Sequence, residues 1–167
     1  ALCKQFLDNF KISVFSHVIQ IGSVRVLKKI GENSILKLAE KSPLRCVDKK
    51  AEKEMVELIN EAAKKGDSLG GVFEVIAQSL PAGLGSYAQW DMRLDSQIAS
   101  AIVSIPAVKA VEIGSAVESS FNFGSDVQDE IFYGPKAGFN RKTNRAGGLE
   151  GGITNGGSLI VRGYMKP

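Results

Sequence analysis

Histidine and cysteine are scarce in this sequence, which limits the chemistry the chain can support. It has one histidine, His17, and two cysteines, Cys3 and Cys46. A single imidazole cannot form a multi-histidine metal centre, and it restricts acid–base chemistry that needs two imidazoles. The cysteines lack CxxC spacing, so neither a zinc site nor a disulfide framework is predicted. We therefore expect no metal site, reduced thiols and a cytoplasmic location.

Long apolar runs and a strong charge of either sign are also lacking. No apolar run is long enough to span a bilayer, and the longest, around 107–111, is interrupted by Lys109 and followed by Glu112. The net charge is +3, and the lysines are spread along the chain rather than clustered in a stripe. This balance permits an anionic ligand, but we expect neither a membrane nor a nucleic-acid partner. A basic nucleic-acid-binding domain is the weakest alternative.

Glycine is abundant in one segment, Asn144–Gly157, which we call the glycine loop. Six of the eleven residues from Gly147 to Gly157 are glycine, a third of the chain's 18. Glycine is costly to order, so such a cluster indicates unusual backbone angles or a close backbone approach to a ligand. The loop lacks the lysine of a P-loop and the strand–helix context of a dinucleotide site. The alternative is a surface loop without function.

The hydrophobic pattern predicts helices alternating with strands. Strands are expected over 11–22, 71–79, 107–114 and 158–166, and helices over 34–40, 48–65 and 91–104. Asp48 is expected to cap the longest helix. Half-polar strands separated by helices predict an α+β fold in which helices pack on a mostly antiparallel sheet. At 167 residues the chain fits a single domain.

Two strands and one loop carry specific expectations. The alternation in 71–79 predicts one face with Phe73, Val75 and Ala77, and the opposite face with Glu74 and Gln78. The segment 107–114 is predicted to be mostly buried, so Lys109 and Glu112 need partners or an edge position. The segment 132–143 is predicted to be a loop.

Three residues that could serve a ligand have simpler alternatives. His17 is expected to be a packed or edge histidine. Trp90, the only tryptophan, is expected to anchor a turn rather than stack on a ligand. Lys166 follows the last strand, where it could bind an anion through a charge-assisted hydrogen bond or simply be solvated.

Four long segments are more specific than a pattern of helices and strands. They are Gly66-Asp67-Ser68-Leu69-Gly70-Gly71, Leu80-Pro81-Ala82-Gly83-Leu84-Gly85, 104–114 and 144–156. In this order and spacing the chain resembles chorismate synthase from end to end. Ser16-His17-Val18 and Met165-Lys166-Pro167 fit the same resemblance.

The resemblance implies a reaction, a cofactor and an oligomeric state. The family converts 5-enolpyruvylshikimate 3-phosphate to chorismate and phosphate in the shikimate pathway, a 1,4-elimination that requires reduced FMN without net redox change. It also implies a homotetramer whose core is a β-α-β sandwich, with this chain forming part of that sandwich. The reductant that supplies reduced flavin, including NADPH, is left open.

The resemblance also implies site residues. The family's flavin contacts fall on Pro106, Ala107, Gly151 and Lys166, and Asn144 matches a loop asparagine of the family. Many relatives have asparagine where this chain has Pro106, so contact there would come through the carbonyl or through shape.

The family's two proposed acid–base histidines and its arginine-rich substrate segment have no counterpart within residues 1–167, and His17 matches neither histidine. No catalytic residue is therefore expected in this segment. The resemblance implies the middle portion of a chorismate synthase, with parts before Ala1 and after Pro167 missing, and no turnover by this chain alone. A non-catalytic flavin- or phosphate-binding module is the alternative.

Overall fold

The structure is a computed structural model that describes residues 2–28, 30–135 and 138–167. Its helices are α1 (Leu2–Asp8), α2 (Glu32–Ala39), α3 (Lys49–Lys64), α4 (Leu94–Val103), α5 (Ala116–Ser119) and α6 (Gly124–Val127). Its strands are β1 (Ser13–Ile21), β2 (Val24–Arg25), β3 (Gly71–Gln78), β4 (Val108–Ile113), β5 (Ile131–Gly134), β6 (Gly138–Arg141), β7 (Leu149–Glu150), β8 (Ile153–Thr154) and β9 (Leu159–Met165).

The main sheet has five strands in the order β2-β1-β3-β9-β4. The pairs β5–β6 and β7–β8 form separate antiparallel two-stranded sheets, and β1 pairs antiparallel with β2. Helices pack on a mostly antiparallel sheet, so the predicted α+β class is confirmed.

The described residues form two compact units, each drawn from separated stretches of sequence. Unit 1 comprises Ala1–Val14, Ala77–Ala101 and Glu112–Val161. Unit 2 comprises Phe15–Ile76, Ile102–Val111 and Arg162–Pro167. The expectation of one partial domain stays a prediction.

Unit 2 is built around helix α3. The Asp48 carboxylate accepts hydrogen bonds from the backbone N–H groups of Lys50 and Ala51, as a cap at this position should. Gly66 follows the helix with φ +66, the left-handed conformation that commonly ends helices. Ala51 and Met55 are buried with Cys46 beneath apolar residues of β1 and β2. Burial raises the pKa of the Cys46 thiol, which makes it a poor nucleophile.

Two strand predictions are corrected. In β3 the more buried face is Val72, Glu74 and Ile76, so the face expected to be polar points into the protein. Both faces of β3 carry apolar residues, and the burial of Glu74 depends on partners from other strands. β4 is not mostly buried, because it lies at an edge of the five-stranded sheet and leaves Lys109 exposed.

The segment 132–143, expected to be a loop, contains most of a hairpin. Strands β5 and β6 pair with Tyr133 opposite Phe139 and Phe132 opposite Asn140. The tilted rings of Tyr133 and Phe139 lie 5.2 Å apart, and the Lys142 ammonium lies 3.8 Å from the centre of the Phe132 ring. These contacts stabilise the pairing of β5 with β6. The glycine and lysine residues of the segment had favoured a loop instead. Lys136 and Ala137 lie outside the described residues.

Candidate functional site

The glycine loop is a structured hairpin in unit 1. Strands β7 and β8 pair with Glu150 opposite Ile153, leaving Gly151 and Gly152 as the two turn residues. Their φ values are +61 and +89. A two-residue hairpin turn with both φ values positive strongly favours glycine at each position. The glycine pair is therefore required by the turn, before any ligand is considered.

Thr154 fixes one side of this hairpin. It is 2% exposed, and its hydroxyl donates to Pro81 O at 2.6 Å and accepts from Leu84 N at 2.9 Å. Its own backbone N–H donates to Leu84 O at 2.9 Å. This role could not be predicted from the sequence, because a threonine in a polar segment resembles a solvated residue and its partners lie 70 and 73 positions away.

Asn144 fixes the other side. Its amide Nδ2 donates to Ser158 O at 2.7 Å, and its Oδ1 accepts from Gly148 N at 2.9 Å. The side chain therefore joins the two ends of the loop. A flavin contact by Asn144 stays a prediction, and any such contact must use the remaining hydrogen-bonding capacity of the amide.

Gly151 offers an open approach at the hairpin turn. It is exposed, and a Cβ built at this position meets nothing within 4 Å. Gly152 is instead packed, since a Cβ there would lie 2.8 Å from Ser86 O. The backbone at Gly151 can therefore be approached closely by an external flat group, whereas Gly152 serves the packing of the loop.

Two buried donors lie in or beside the loop without a hydrogen-bond partner among the described residues. They are Arg141 Nε and Asn155 Nδ2. Arg141 Nη2 makes an ion pair with Glu150 at 2.6 Å, and its Nη1 lies 3.5 Å from Asn155 O. Since buried donors normally have partners, this part of unit 1 retains capacity to bind an acceptor, either water or ligand.

In unit 2, Pro106 and Ala107 form a tight turn between α4 and β4. Val108 N donates to Ile105 O at 3.1 Å, which closes the turn around the pair. Ala107 has φ +69, unusual for a residue other than glycine. In the four-residue turn from Ile105 to Val108, proline is the second residue and the third has a positive φ. This is the pattern of a type II turn. Such strain, of order 1–3 kcal/mol, often marks ligand contacts.

Lys166 lies directly beside this turn. Its backbone N–H donates to Ala107 O at 2.9 Å, while its side chain is exposed. The structure thus brings Lys166 to the adjacent residues Pro106 and Ala107, from which it is far apart in sequence. Of the remaining site residues predicted from the sequence, Asn144 and Gly151 belong to unit 1.

A buried charge network in unit 2 has no counterpart among the predictions from the sequence. His17 Nε2 lies 2.9 Å from Glu74 Oε1, and Arg162 Nε donates to Glu74 Oε2 at 2.7 Å. His17 is 5% exposed, so its prediction as a packed histidine is confirmed. Its Nδ1 is buried without a hydrogen-bond partner among the described residues.

The network also alters the titration of Glu74. Burial raises the pKa of its carboxyl, but hydrogen bonds from His17 and Arg162 and the charge of Arg162 outweigh this effect. The pKa of Glu74 consequently lies below its usual range. The carboxylate is held as an anion between two donors and is unsuited to act as a proton donor.

The remaining expectations have mixed outcomes. Trp90 is 80% exposed, so the prediction that it anchors a turn is wrong. Glu112 is 5% exposed and its carboxylate accepts from Val117 N at 3.0 Å, which supplies the partner it was expected to need. Within residues 2–28, 30–135 and 138–167, no group of three or more His, Cys, Asp and Glu side chains could hold a metal ion. None of the helices in those ranges has the length and apolar character to cross a membrane.

Comparison with known proteins identifies the family. The chorismate synthase family model matches residues 1–167. The chain belongs to the chorismate synthase family. It is 48% identical to the chorismate synthase of Caldicellulosiruptor saccharolyticus and 50% identical to that of Geobacillus kaustophilus, in each case over 100% of this chain. A crystal structure of chorismate synthase superposes with a TM-score of 0.92 at 45% identity and covers 99% of this chain.

Coverage of these family members is partial. The chain spans 44% of the length of the two curated relatives and 53% of the chain in the crystal structure. Family membership is therefore shown for these 167 residues, whereas activity, substrates and partners of a whole chorismate synthase have to be argued separately.

Each unit, described by itself, contains groups that suit one part of a flavin. In unit 1 an exposed glycine turn lies open to a flat group, and nearby buried donors lack partners. In unit 2 a strained turn lies beside an exposed ammonium group that can bind a phosphate. A flavin mononucleotide carries both a flat ring and a phosphate.

Proposed function

We propose that these residues serve a chorismate synthase, which eliminates phosphate from 5-enolpyruvylshikimate 3-phosphate to give chorismate. The observation that carries the proposal is the match over the whole chain, at 48–50% identity to curated chorismate synthases. Reduced FMN, when bound, supplies electron density as phosphate leaves and takes it back as the C6 proton is lost. NADPH as the source of reducing equivalents, a homotetramer and a cytoplasmic location belong to the same proposal.

Within this function, the chain's own residues bind and position. Lys166 offers a positive charge to an anionic group, and the Pro106–Ala107 turn beside it presents a fixed backbone shape. Gly151 allows close backbone approach, and Asn144 holds the loop that carries it. Fixed groups of this kind accelerate a reaction by orientation and charge complementarity rather than by proton transfer.

No residue of this chain is proposed as the acid or base. His17, the one histidine, has its Nε2 engaged by Glu74 and is 5% exposed. A histidine held in this way cannot reach a substrate proton. We expect the 167-residue chain alone to form no chorismate from 5-enolpyruvylshikimate 3-phosphate and reduced FMN under anaerobic conditions. Chorismate production by the chain alone would contradict this expectation.

A chimera tests the function itself. The matching segment of the Geobacillus kaustophilus enzyme, 44% of its length, is exchanged for residues 1–167. We expect this chimera to form chorismate. A folded chimera that binds FMN but forms no chorismate would overturn the proposed activity. Tight FMN binding by the 167-residue chain alone would instead favour a flavin-binding module.

Gly151→Ala tests the proposed flavin contact in the same chimera. The added methyl group meets nothing in this chain within 4 Å, so stability should fall only by the strain of a positive φ, about 1–2 kcal/mol. FMN affinity should fall about tenfold or more, because the methyl group occupies the space needed by the ring. Flavin fluorescence titration measures the affinity, and thermal unfolding measures the stability.

Gly83→Ala is the matched control for this substitution. Gly83 also lies in unit 1, has φ +94, and has open space around a built Cβ. It should lose similar stability while FMN affinity changes less than about twofold. Equal losses of affinity in both variants would remove Gly151 from the set of flavin contacts.

A further inference from the structure

Asp129 lies between α6 and β5 and is 7% exposed. Its Oδ1 accepts from Thr143 Oγ1 at 2.5 Å and from Arg145 N at 2.9 Å, and its Oδ2 accepts from Ala146 N at 2.8 Å. One buried carboxylate thus receives three hydrogen bonds, one from Thr143, directly before the glycine loop, and two from the first residues of the loop. Carboxylates with several such bonds are rigidly held, because each lost bond would leave a buried charge poorly solvated.

The hydrogen bonds of Asp129 hold the backbone that directly precedes the β7–β8 hairpin and its turn residue Gly151. Next along the chain, Gly147 N donates to Asn144 O at 3.2 Å, and Gly148 N donates to the Asn144 side chain. Gly148 O then accepts from Asn155 N at 3.0 Å, which continues the β7–β8 ladder toward the turn. The conformation at Arg145 and Ala146 therefore sets where the hairpin begins.

The surroundings of Arg145 leave little room for another arrangement. Arg145 N donates to Asp129, whereas Arg145 O accepts from Ser115 N at 2.9 Å. The two peptide groups that flank Arg145 are therefore held by different partners. The backbone of Gly114 packs directly against the Arg145–Gly147 backbone, with no space for a Cβ. The Asp129 carboxylate binds two consecutive peptide N–H groups of this part of the loop, one with each oxygen.

We propose that Asp129 is a positioning residue: its carboxylate fixes the backbone of Arg145 and Ala146 and thereby holds the glycine loop in the conformation that contacts the flavin. The part of this inference that concerns the flavin rests on the proposed function, whereas the part that concerns the loop does not. Asp129 itself touches neither flavin nor substrate in this role. Its effect on the ligand passes through the peptide groups it binds.

Burial raises the pKa of Asp129, but the hydrogen bonds from Ala146, Thr143 and Arg145 outweigh it and hold the pKa below its usual range. The group is thus an anion at neutral pH. Asparagine at this position keeps the size of the side chain but turns an amide N–H₂ toward one of the backbone donors. Asp129→Asn should therefore release one of the two peptide groups.

The test of ligand binding uses the Geobacillus kaustophilus chimera described above, with FMN as the probe. Asp129→Asn should weaken FMN binding about tenfold or more in a fluorescence titration. Asp126→Asn is the matched control, because it removes the same charge from an exposed side chain three residues earlier, and its affinity should stay within about twofold. Thr143→Val should weaken binding and Thr143→Ser should restore it, since serine keeps the hydroxyl donor.

A second readout follows the loop directly. In ¹H–¹⁵N spectra, the amide protons of Arg145 and Ala146 should lie downfield in the unsubstituted chain and move upfield in Asp129→Asn but not in Asp126→Asn. Unchanged amide shifts in Asp129→Asn would overturn the inference. So would shifted amides combined with unchanged FMN affinity, because the loop would then move without consequence for the ligand.

Failure of the proposed function gives a different result. If the unsubstituted chimera binds no FMN, the proposed flavin contact loses its support, and the amide shifts alone then decide whether Asp129 fixes the loop. Should Asp129→Asn fail to fold, Thr143→Val and Thr143→Ser carry the same comparison. Thr143 is exposed, so its substitution leaves the core intact.

Discussion

Replacing Glu74 with glutamine should destabilise the chain by about 3 kcal/mol or more, which for a chain of this length lowers Tm by roughly 6–12 °C. Glu74 binds His17 at 2.9 Å and Arg162 at 2.7 Å, and its side chain is 12% exposed. Glutamine can accept from one of these donors, but its own N–H₂ group then faces the other. Denaturant unfolding monitored by circular dichroism measures the loss.

Glu57→Gln provides the control for this substitution. Glu57 pairs with Lys53 at 4.0 Å on the surface of α3, with both side chains largely exposed. Exposed pairs of this kind contribute little, so the loss should stay below about 0.5 kcal/mol. Comparable losses in the two variants would mean that burial of the Glu74 network contributes nothing beyond an ordinary surface pair.

The pH dependence of the Glu74 effect has a definite sign. The pKa of the folded carboxyl lies below its ordinary value of 4.5. The stabilisation is therefore fully present above about pH 4.5 and is lost as the pH falls through the folded-state pKa. The stability difference between Glu74→Gln and the unsubstituted chain should accordingly shrink in acid. Arg162 is the charged partner of Glu74, and His17 is its second hydrogen-bond partner.

Glu74 also shows where prediction from the sequence reached its limit. The spacing of β3 was visible, but apolar residues occur at 72, 73, 75, 76 and 77, so alternation alone could not say which face is buried. The partners that allow Glu74 to be buried lie 57 and 88 positions away. Local propensity predicts an element, whereas the burial of a charge depends on residues that only the fold brings together.

The fold and the candidate site likewise contain some features that local sequence predicts and others that it does not. The helix cap at Asp48 and the turn at Gly66 depend on neighbouring residues and were predicted. The glycine loop was recognised by its composition, and its family by long motifs matched over residues 1–167. Asp129 and Thr154, which hold that loop, gave no signal, because aspartate and threonine in polar segments look like solvated residues. Their partners become visible only when the loop is folded.

Gly114→Ala, a methyl addition directly beside the start of the glycine loop, should be strongly destabilising. Gly114 has φ +62, and a Cβ there would lie 2.5 Å from Gly147 N and closer still to Arg145 O. Both contacts are with backbone, which cannot rotate away as a side chain can. The strain of the positive φ adds about 1–2 kcal/mol. We expect a total loss of about 4 kcal/mol or more, or failure to fold, because the clash must displace the start of the glycine loop.

Gly66→Ala separates the two contributions. Gly66 has nearly the same φ, +66, and a Cβ there meets nothing within 4 Å. Its loss should be the conformational strain alone, about 1–2 kcal/mol. The difference between the two variants in denaturant unfolding then measures the steric contact between Gly114 and the loop. Similar losses would show that the close packing of Gly114 on Arg145 and Gly147 is relieved at little cost, and that the start of the loop can move. A large difference would mean that the loop is held by backbone packing as well as by hydrogen bonds, so that its conformation is fixed before any ligand binds.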